Sequence, residues 1–258
     1  MAGILDGKTA LIFGVANRRS IAWGIAQALA GAGAKLAFTY QGERIEAGVR
    51  ELAGSVGSSL VLPCDVTRDE DLDSVFEAVG KEFGGLDILI HAVAFAARED
   101  LEGRFTDTKR ANFALALDIS AYSLTAMVQR AEPLMEKNGG GSVVTMTYLG
   151  GERAVQNYNV MGVAKAALDA SMRYLAMDLG AKNIRVNAIS AGPIRTLAAR
   201  SISGFTVMEE HYEKRAPMRR NVDANEVGQT ALFLCSDMSS GITGEIVHVD
   251  AGYHAIGF

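Results

Sequence analysis

Short apolar runs alternate with longer helical patterns along the whole chain, and this alternation constrains the fold more than any other feature. Thr9-Ala-Leu-Ile-Phe-Gly14 reads as a buried strand, and Ile21 to Ala32, followed by Gly33, as a helix. The same pairing recurs: strand Lys35 to Tyr40 with helix Glu43 to Leu52, short strand Leu60 to Pro63 with helix Asp69 to Phe83, and strand Asp87 to His91 with a long helical stretch from about Thr108 to Lys137. Ser142 to Thr147, Arg185 to Ile189 and Glu245 to Val249 read as further strands, with helices over Tyr158 to Leu179 and 224–235. Strands that are apolar on both faces and separated by helices imply a parallel sheet covered on both sides. Repeated alternation from the N-terminus implies an α/β, doubly wound parallel sheet (a Rossmann fold) in a single domain spanning 1–258. The least regular region runs from Ala191 to roughly Val207. It follows a strand, so it is expected at the C-terminal edge of the sheet, where such folds place ligands.

The bulk numbers exclude several classes. Hydrophobic residues make up 49% of 258 and charged residues 21%, which allows a large buried core. The formal charge is −5 with both signs interspersed, so no basic nucleic-acid footprint is expected. No run of 18 purely apolar residues marks a membrane span, and Met1 to Lys8 lacks the apolar core of a secretory signal. Cys64 and Cys235 are too few for a disulfide framework and share no metal-ligand spacing, so each is expected to be a small buried residue. The expectation is a cytoplasmic globular protein with no metal site. His91, His211, His248 and His254 are unclustered in sequence.

Two stretches carry chemistry. The turn between the first strand and helix, Phe13-Gly14 through Ser20-Ile21 to Gly24, lies where a doubly wound fold cradles a pyrophosphate on backbone N–H groups. Its spacing is not G-x-G-x-x-G. Gly14 would make the tight turn, Ser20 would cap the helix and offer its hydroxyl to a phosphate, and Gly24 would permit close helix–sheet packing. Gln41 after the second strand could bind neutral ribose hydroxyls, and Arg44 is the one base near it. NADH is therefore favoured over NADPH without a decision between them. Asp65 and Val66 follow the third strand, and the small residues from Ala92 to Ala96 follow the fourth. The second stretch holds Tyr148, Tyr158 and Lys165 within eighteen residues. Tyr158 and Lys165 are seven apart, which places both on one helix face about 10 Å apart. A lysine joined to a tyrosine through a shared ligand favours the phenolate, so the spacing predicts a tyrosine pKa lowered from about 10.

With these residues the chain resembles the short-chain dehydrogenase/reductase family and, within it, the bacterial enoyl-acyl-carrier-protein reductases. The resemblance covers essentially the whole length. It rests on Gly14-Val-Ala, Ser20-Ile-Ala-Trp-Gly, Leu36-Ala-Phe-Thr-Tyr-Gln41, Cys64-Asp-Val66, Asp118-Ile-Ser, Thr147-Tyr-Leu-Gly, Asn157-Tyr-Asn through Lys165, and Arg185 through Ala198. Other short-chain reductases carry a serine at the strand end, where this chain has Tyr148.

The resemblance implies roles position by position. Tyr158 would hydrogen-bond the thioester carbonyl, Tyr148 would lie at the substrate mouth, and Lys165 would hold the nicotinamide ribose. Gly14, Ser20 and Ile21 would meet the pyrophosphate, Gln41 the adenosine, Asp65 and Val66 the adenine, and Val93 the nicotinamide ribose. Ile194, Arg195, Thr196, Leu197 and Ala198 would cover the carboxamide and begin a mobile substrate-binding loop over about 194–210. Ala96, Phe205 and Met208 would touch substrate. The resemblance also implies an acyl carrier protein as partner and a homotetramer. The expected reaction is hydride transfer from NADH to C3 of a trans-2-enoyl thioester in fatty-acid elongation, with Tyr158 stabilising the charge that builds on the thioester oxygen. The alternatives are a short-chain dehydrogenase acting on an alcohol or ketone, and a non-catalytic nucleotide sensor.

Overall fold

A computed structural model describes residues 3–197, 199 and 203–257. Seven parallel strands form one sheet in the order β3-β2-β1-β4-β5-β6-β7. They are β1 (Thr9–Phe13), β2 (Lys35–Tyr40), β3 (Val61–Pro63), β4 (Ile88–His91), β5 (Gly141–Thr147), β6 (Ile184–Ala191) and β7 (Ile246–Val249). The order reverses between β1 and β4, which creates the crevice where open α/β sheets bind ligands.

Each strand feeds two cores, which is why the strands read as unbroken apolar runs. Ala10 and Ile12 of β1 face one core, and Leu11 and Phe13 face the other. The first core is closed by α1 (Ile21–Gly31), α2 (Glu43–Ser55) and α8 (Ala224–Cys235), through Ile25, Leu29, Val49, Leu52, Val227 and Leu234. The second is closed by α3 (Asp69–Phe83), α5 (Ser123–Lys137) and α6 (Asn159–Leu179), through Val75, Phe76, Leu124, Met127, Leu168 and Met172. Both cysteines are buried, and burial pushes each thiol up to about 12.

Four details depart from the sequence reading. Gly24 serves helix–helix rather than helix–sheet packing: a Cβ there would lie 2.4 Å from the Ala224 carbonyl oxygen of α8. Ser20 occupies the N-cap position of α1, but its side chain makes no cap bond. The stretch from Thr108 to Lys137 divides into α4 (Arg110–Leu117), a π-turn at Asp118–Tyr122, and α5. The 28 residues Arg110–Lys137, taken as one helical run, are long enough and hold a window apolar enough to cross a bilayer. Here Leu124, Met127, Val128 and Met135 pack instead under the sheet. Finally, α7 (Phe205–Arg215) begins inside the region expected to be irregular. Its buried residues are Glu209 and Tyr212, so it carries no apolar stripe from which a helix could have been read.

Candidate active site

The site lies at the C-terminal edge of β1, β4, β5 and β6. Gly14 turns the chain away from β1 at φ 101°, and a Cβ there would sit 2.1 Å from the Ala92 carbonyl oxygen. Only glycine allows the β1 and β4 edge loops to approach so closely. Ser20 Oγ accepts from the Ala16 and Asn17 amides at 3.0 and 3.1 Å, which tightens the turn. Those bonds leave the hydroxyl proton itself available to an acceptor. Ile21 and Val93 are partly buried, one against each core.

At the far end of the crevice, Gln41 Nε2 donates to Asp65 at 3.2 Å. The other Asp65 oxygen accepts from the Thr67 amide and hydroxyl at 3.0 and 2.7 Å. Burial works against its charge, but these donors together with Gln41 hold the Asp65 carboxyl below its usual range. Asp65 is thus a loop-ordering carboxylate that also ties two edge loops together. Val66 packs beside it on the second core. The glycine turn, the donor hydroxyl of Ser20 and the small residues after β4 fit an extended dinucleotide lying across the sheet edge.

The tyrosines stand over the other half of the crevice. Tyr158 precedes α6 between Asn157 (φ 60°) and Asn159 (φ 21°), two residues in or near the left-handed region that asparagine tolerates. Asn157 Nδ2 donates to the Ser203 carbonyl at 2.8 Å and Asn159 Nδ2 to the Glu102 carbonyl at 3.1 Å, so flanking loops hold this backbone. Tyr148 lies edge-on to Tyr158 with ring centroids 4.9 Å apart. Ala96 packs in the same apolar cluster as both rings. Among the described residues, the Tyr158 hydroxyl has no hydrogen-bond partner. Burial, with smaller contributions from Tyr148 and Asp169, raises its pKa. This is opposite to the lowering expected from the lysine spacing. That lowering assumed a bridging ligand, whereas desolvation dominates in the chain alone.

Lys165 is buried, and its Nζ donates to the Met146 carbonyl at 2.7 Å. Burial lowers its pKa to about 8 against the opposing pull of Asp169. One ammonium proton is thus engaged by β5 and two are available. Behind it, His91 is fully buried between the Thr145 and Ser123 hydroxyls, 2.8 Å from each. Burial and the Lys165 charge lower its pKa to about 3.

The segment after β6 is less uniform than expected. Ile194 is partly buried between two apolar clusters, and the Thr196 amide donates back to the Ile194 carbonyl at 2.8 Å. Arg195 Nε is 2.8 Å from both carboxylate oxygens of Glu209 on α7. Leu197 is exposed, and Ala198 lies outside the described residues. Arg19, Arg195, Thr196, Phe205 and Glu209 line a cleft of about 480 Å³. Met208 sulfur accepts from the Tyr148 hydroxyl at 3.3 Å.

Two anchoring residues have no role in the sequence reading. Ser120, inside the π-turn, accepts from the Phe95 amide at 2.9 Å and so pins the loop carrying Val93 and Ala96. Interruptions of this kind in helices cluster at functional sites, but their register leaves no mark on apolar periodicity. Glu209 was missed because a buried acid looks like a surface acid until its arginine is placed.

The profile of the family described as Enoyl-(Acyl carrier protein) reductase matches residues 14–254. The chain is 57% identical over 256 residues to the Enoyl-[acyl-carrier-protein] reductase [NADH] FabI of Bacillus cereus, covering 98% of this chain and 99% of that one. It is 54% identical to the [NADPH] FabI of Staphylococcus aureus strain MRSA252, covering 98% of each. Among solved structures, the Bacillus cereus enoyl-acyl carrier protein reductase with NADP+ and indole naphthyridinone superposes with a TM-score of 0.97 at 56% identity, over 99% of this chain and 100% of that one. The reductase of Anaplasma phagocytophilum in complex with NAD gives 0.96 at 48% identity, over 100% of this chain and 98% of that one.

Proposed function

This chain belongs to the enoyl-(acyl carrier protein) reductase family, and on that premise we propose how its residues carry the reaction. The protein is an oxidoreductase that reduces the carbon–carbon double bond of a trans-2-enoyl thioester on acyl carrier protein, in fatty-acid elongation, with NADH as cofactor. NADPH is the cofactor in the name of the Staphylococcus aureus relative.

Bound across Gly14, Ser20, Ile21, Gln41, Asp65, Val66, Val93 and the Ile194–Ala198 segment, the reduced nicotinamide supplies hydride to C3 of the thioester. Negative charge then builds on the thioester oxygen, where Tyr158 donates its phenolic hydrogen bond, and a proton from solvent added at C2 completes the reduction. A phenol kept un-ionised by burial is suited to that donation. Lys165 grips the ribose hydroxyls with the protons that Met146 does not take. Tyr148 and Ala96 wall the mouth, and Phe205 and Met208, in the first turns of α7, shield the acyl chain from water as that helix moves with substrate. The observation that carries this reading is the hydroxyl of the largely buried Tyr158, partnerless among the described residues, with its ring packed against its neighbours.

The enzyme works in the cytoplasm as a homotetramer. Tyr174 and Met177, both on α6 and about 70% exposed, support association through that helix. Arg220, which follows α7, is paired with Glu226 of α8 at 2.6 Å, and so is less free to meet an acidic carrier protein. NADH absorbance followed with crotonyl and then acetoacetyl thioester tests the activity. Consumption with the first alone is expected. Consumption with the second alone would identify a ketone reductase instead, and cofactor binding without turnover on either would identify a nucleotide sensor.

A further inference from the structure

The hydroxyl of Tyr148 is held from α7, and nothing in the reaction scheme above accounts for that hold. Tyr212 lies one helical turn beyond Met208, on the same face, and its hydroxyl is 3.1 Å from the Tyr148 hydroxyl. Tyr212 is 4% exposed. Its ring stacks on Tyr253 with centroids 3.7 Å apart and planes 16° apart. Tyr253 is fixed in turn. It opens the C-terminal turn Tyr253–Ala255, where Asp250 accepts from the Gly252 and His254 amides at 2.9 and 2.7 Å. His211 meets the Tyr253 ring edge-on, with centroids 5.9 Å apart.

A continuous path therefore runs from the C-terminal turn through Tyr253 and Tyr212 to Tyr148, and from the Tyr148 ring to Tyr158. A stack alone would bury the Tyr212 ring equally well as phenylalanine. A buried hydroxyl that ends against a second hydroxyl at the substrate mouth fixes the direction of both O–H bonds. We propose that Tyr212 is a positioning residue for enoyl reduction: its hydroxyl holds the Tyr148 hydroxyl, and so fixes the ring against which Tyr158 meets the thioester. The proposal rests on the reductase reading above. It also makes the docking of α7 a condition for a correctly set mouth.

The test is a double-mutant cycle of Tyr212→Phe and Tyr148→Phe, read by NADH consumption with crotonyl thioester, together with NADH affinity and the thermal midpoint of each protein. Tyr212→Phe keeps the stack and removes only the hydroxyl. It is expected to lose roughly three- to tenfold in kcat/KM, as for one hydrogen bond, with NADH affinity and midpoint unchanged. In the Tyr148→Phe background the same change is expected to cause no further loss, because the partner is already gone. A Tyr212→Phe enzyme with parental kinetics overturns the proposal, and so does an equal loss in the Tyr148→Phe background. Tyr253→Leu loosens Tyr212 without touching either hydroxyl and is expected to lower kcat/KM in the same direction; parental kinetics there contradict the path through the stack. Absence of turnover in the parent enzyme overturns the reductase reading along with this one, whereas normal parental turnover beside an unaffected Tyr212→Phe overturns this one alone.

Discussion

The two halves of the crevice are built on different principles. The dinucleotide half is made mainly of backbone: the Gly14 turn pressed on Ala92 and amides held by the Ser20 hydroxyl, with one side-chain tie between edge loops, Gln41 to Asp65. The substrate half is made of side chains that meet one another. There Tyr148 meets Tyr158 and Tyr212, and Arg195 meets Glu209. A backbone cradle is intolerant of added atoms but indifferent to most side-chain changes. A side-chain wall folds through substitution and loses function in graded steps. The difference separates the residues that let the enzyme hold its cofactor from those that let it choose and activate a thioester.

The sharpest way to break that contrast is Gly14→Val. The clash with Ala92 and the positive φ together introduce about 3 kcal/mol or more of strain. Loss of NADH binding is expected, by fluorescence titration, or loss of folding altogether. A valine variant with parental NADH affinity would mean that the cradle yields more readily than its geometry implies. On the substrate side, Tyr158→Phe is expected to bind NADH normally while kcat falls by roughly 10²–10³, the range for removing one oxyanion donor. Loss of cofactor affinity instead of turnover would move Tyr158 into the dinucleotide half.

Much of the backbone half was legible in the sequence, because apolar runs and a glycine turn are local signals. β2 and α3 fall where alternation and helical period put them, and Gly14 stands where a doubly wound sheet needs it. The same locality explains the errors. Gly24 was assigned to the sheet because the packing of α8 on α1 joins residues some two hundred positions apart. Helix α7 was missed because its buried face is an acid and a tyrosine rather than an apolar stripe. The positions of Tyr148, Tyr158 and Lys165 were legible as a spacing, but the electrostatics were not. Spacing showed a lysine near a tyrosine, while burial raises Tyr158, whose ring is packed among side chains that include Ala96, Leu101 and Leu117.

His91 sits beneath the junction of the two halves and gives a pH test. Its native pKa of about 3 lies below the ordinary value near 6.5, so between those values the unfolded chain binds a proton that the native protein does not. Stability is therefore full above about pH 6.5 and is lost as pH falls toward 3. Denaturant unfolding at pH 5 is expected to show about 2 kcal/mol less stability from this group than at pH 7. In His91→Gln that portion of the pH dependence should vanish; an unaltered slope would assign it elsewhere. The smallest effect is expected for Glu209→Gln, since the Arg195 partner is 74% exposed and solvent screens the pair. A rise of about two- to threefold in KM for the thioester, with NADH affinity unchanged, would mark the pair as an α7 fastening. A change in NADH affinity instead would return Arg195 to the cofactor.

The most direct measurement is a crystal structure of the protein with nicotinamide dinucleotide and a saturated acyl thioester bound together. The account predicts the Tyr158 hydroxyl about 2.7 Å from the thioester oxygen, with Lys165 Nζ on the nicotinamide ribose. A thioester carbonyl held by another group, with the Tyr158 hydroxyl turned away from it, would contradict the account.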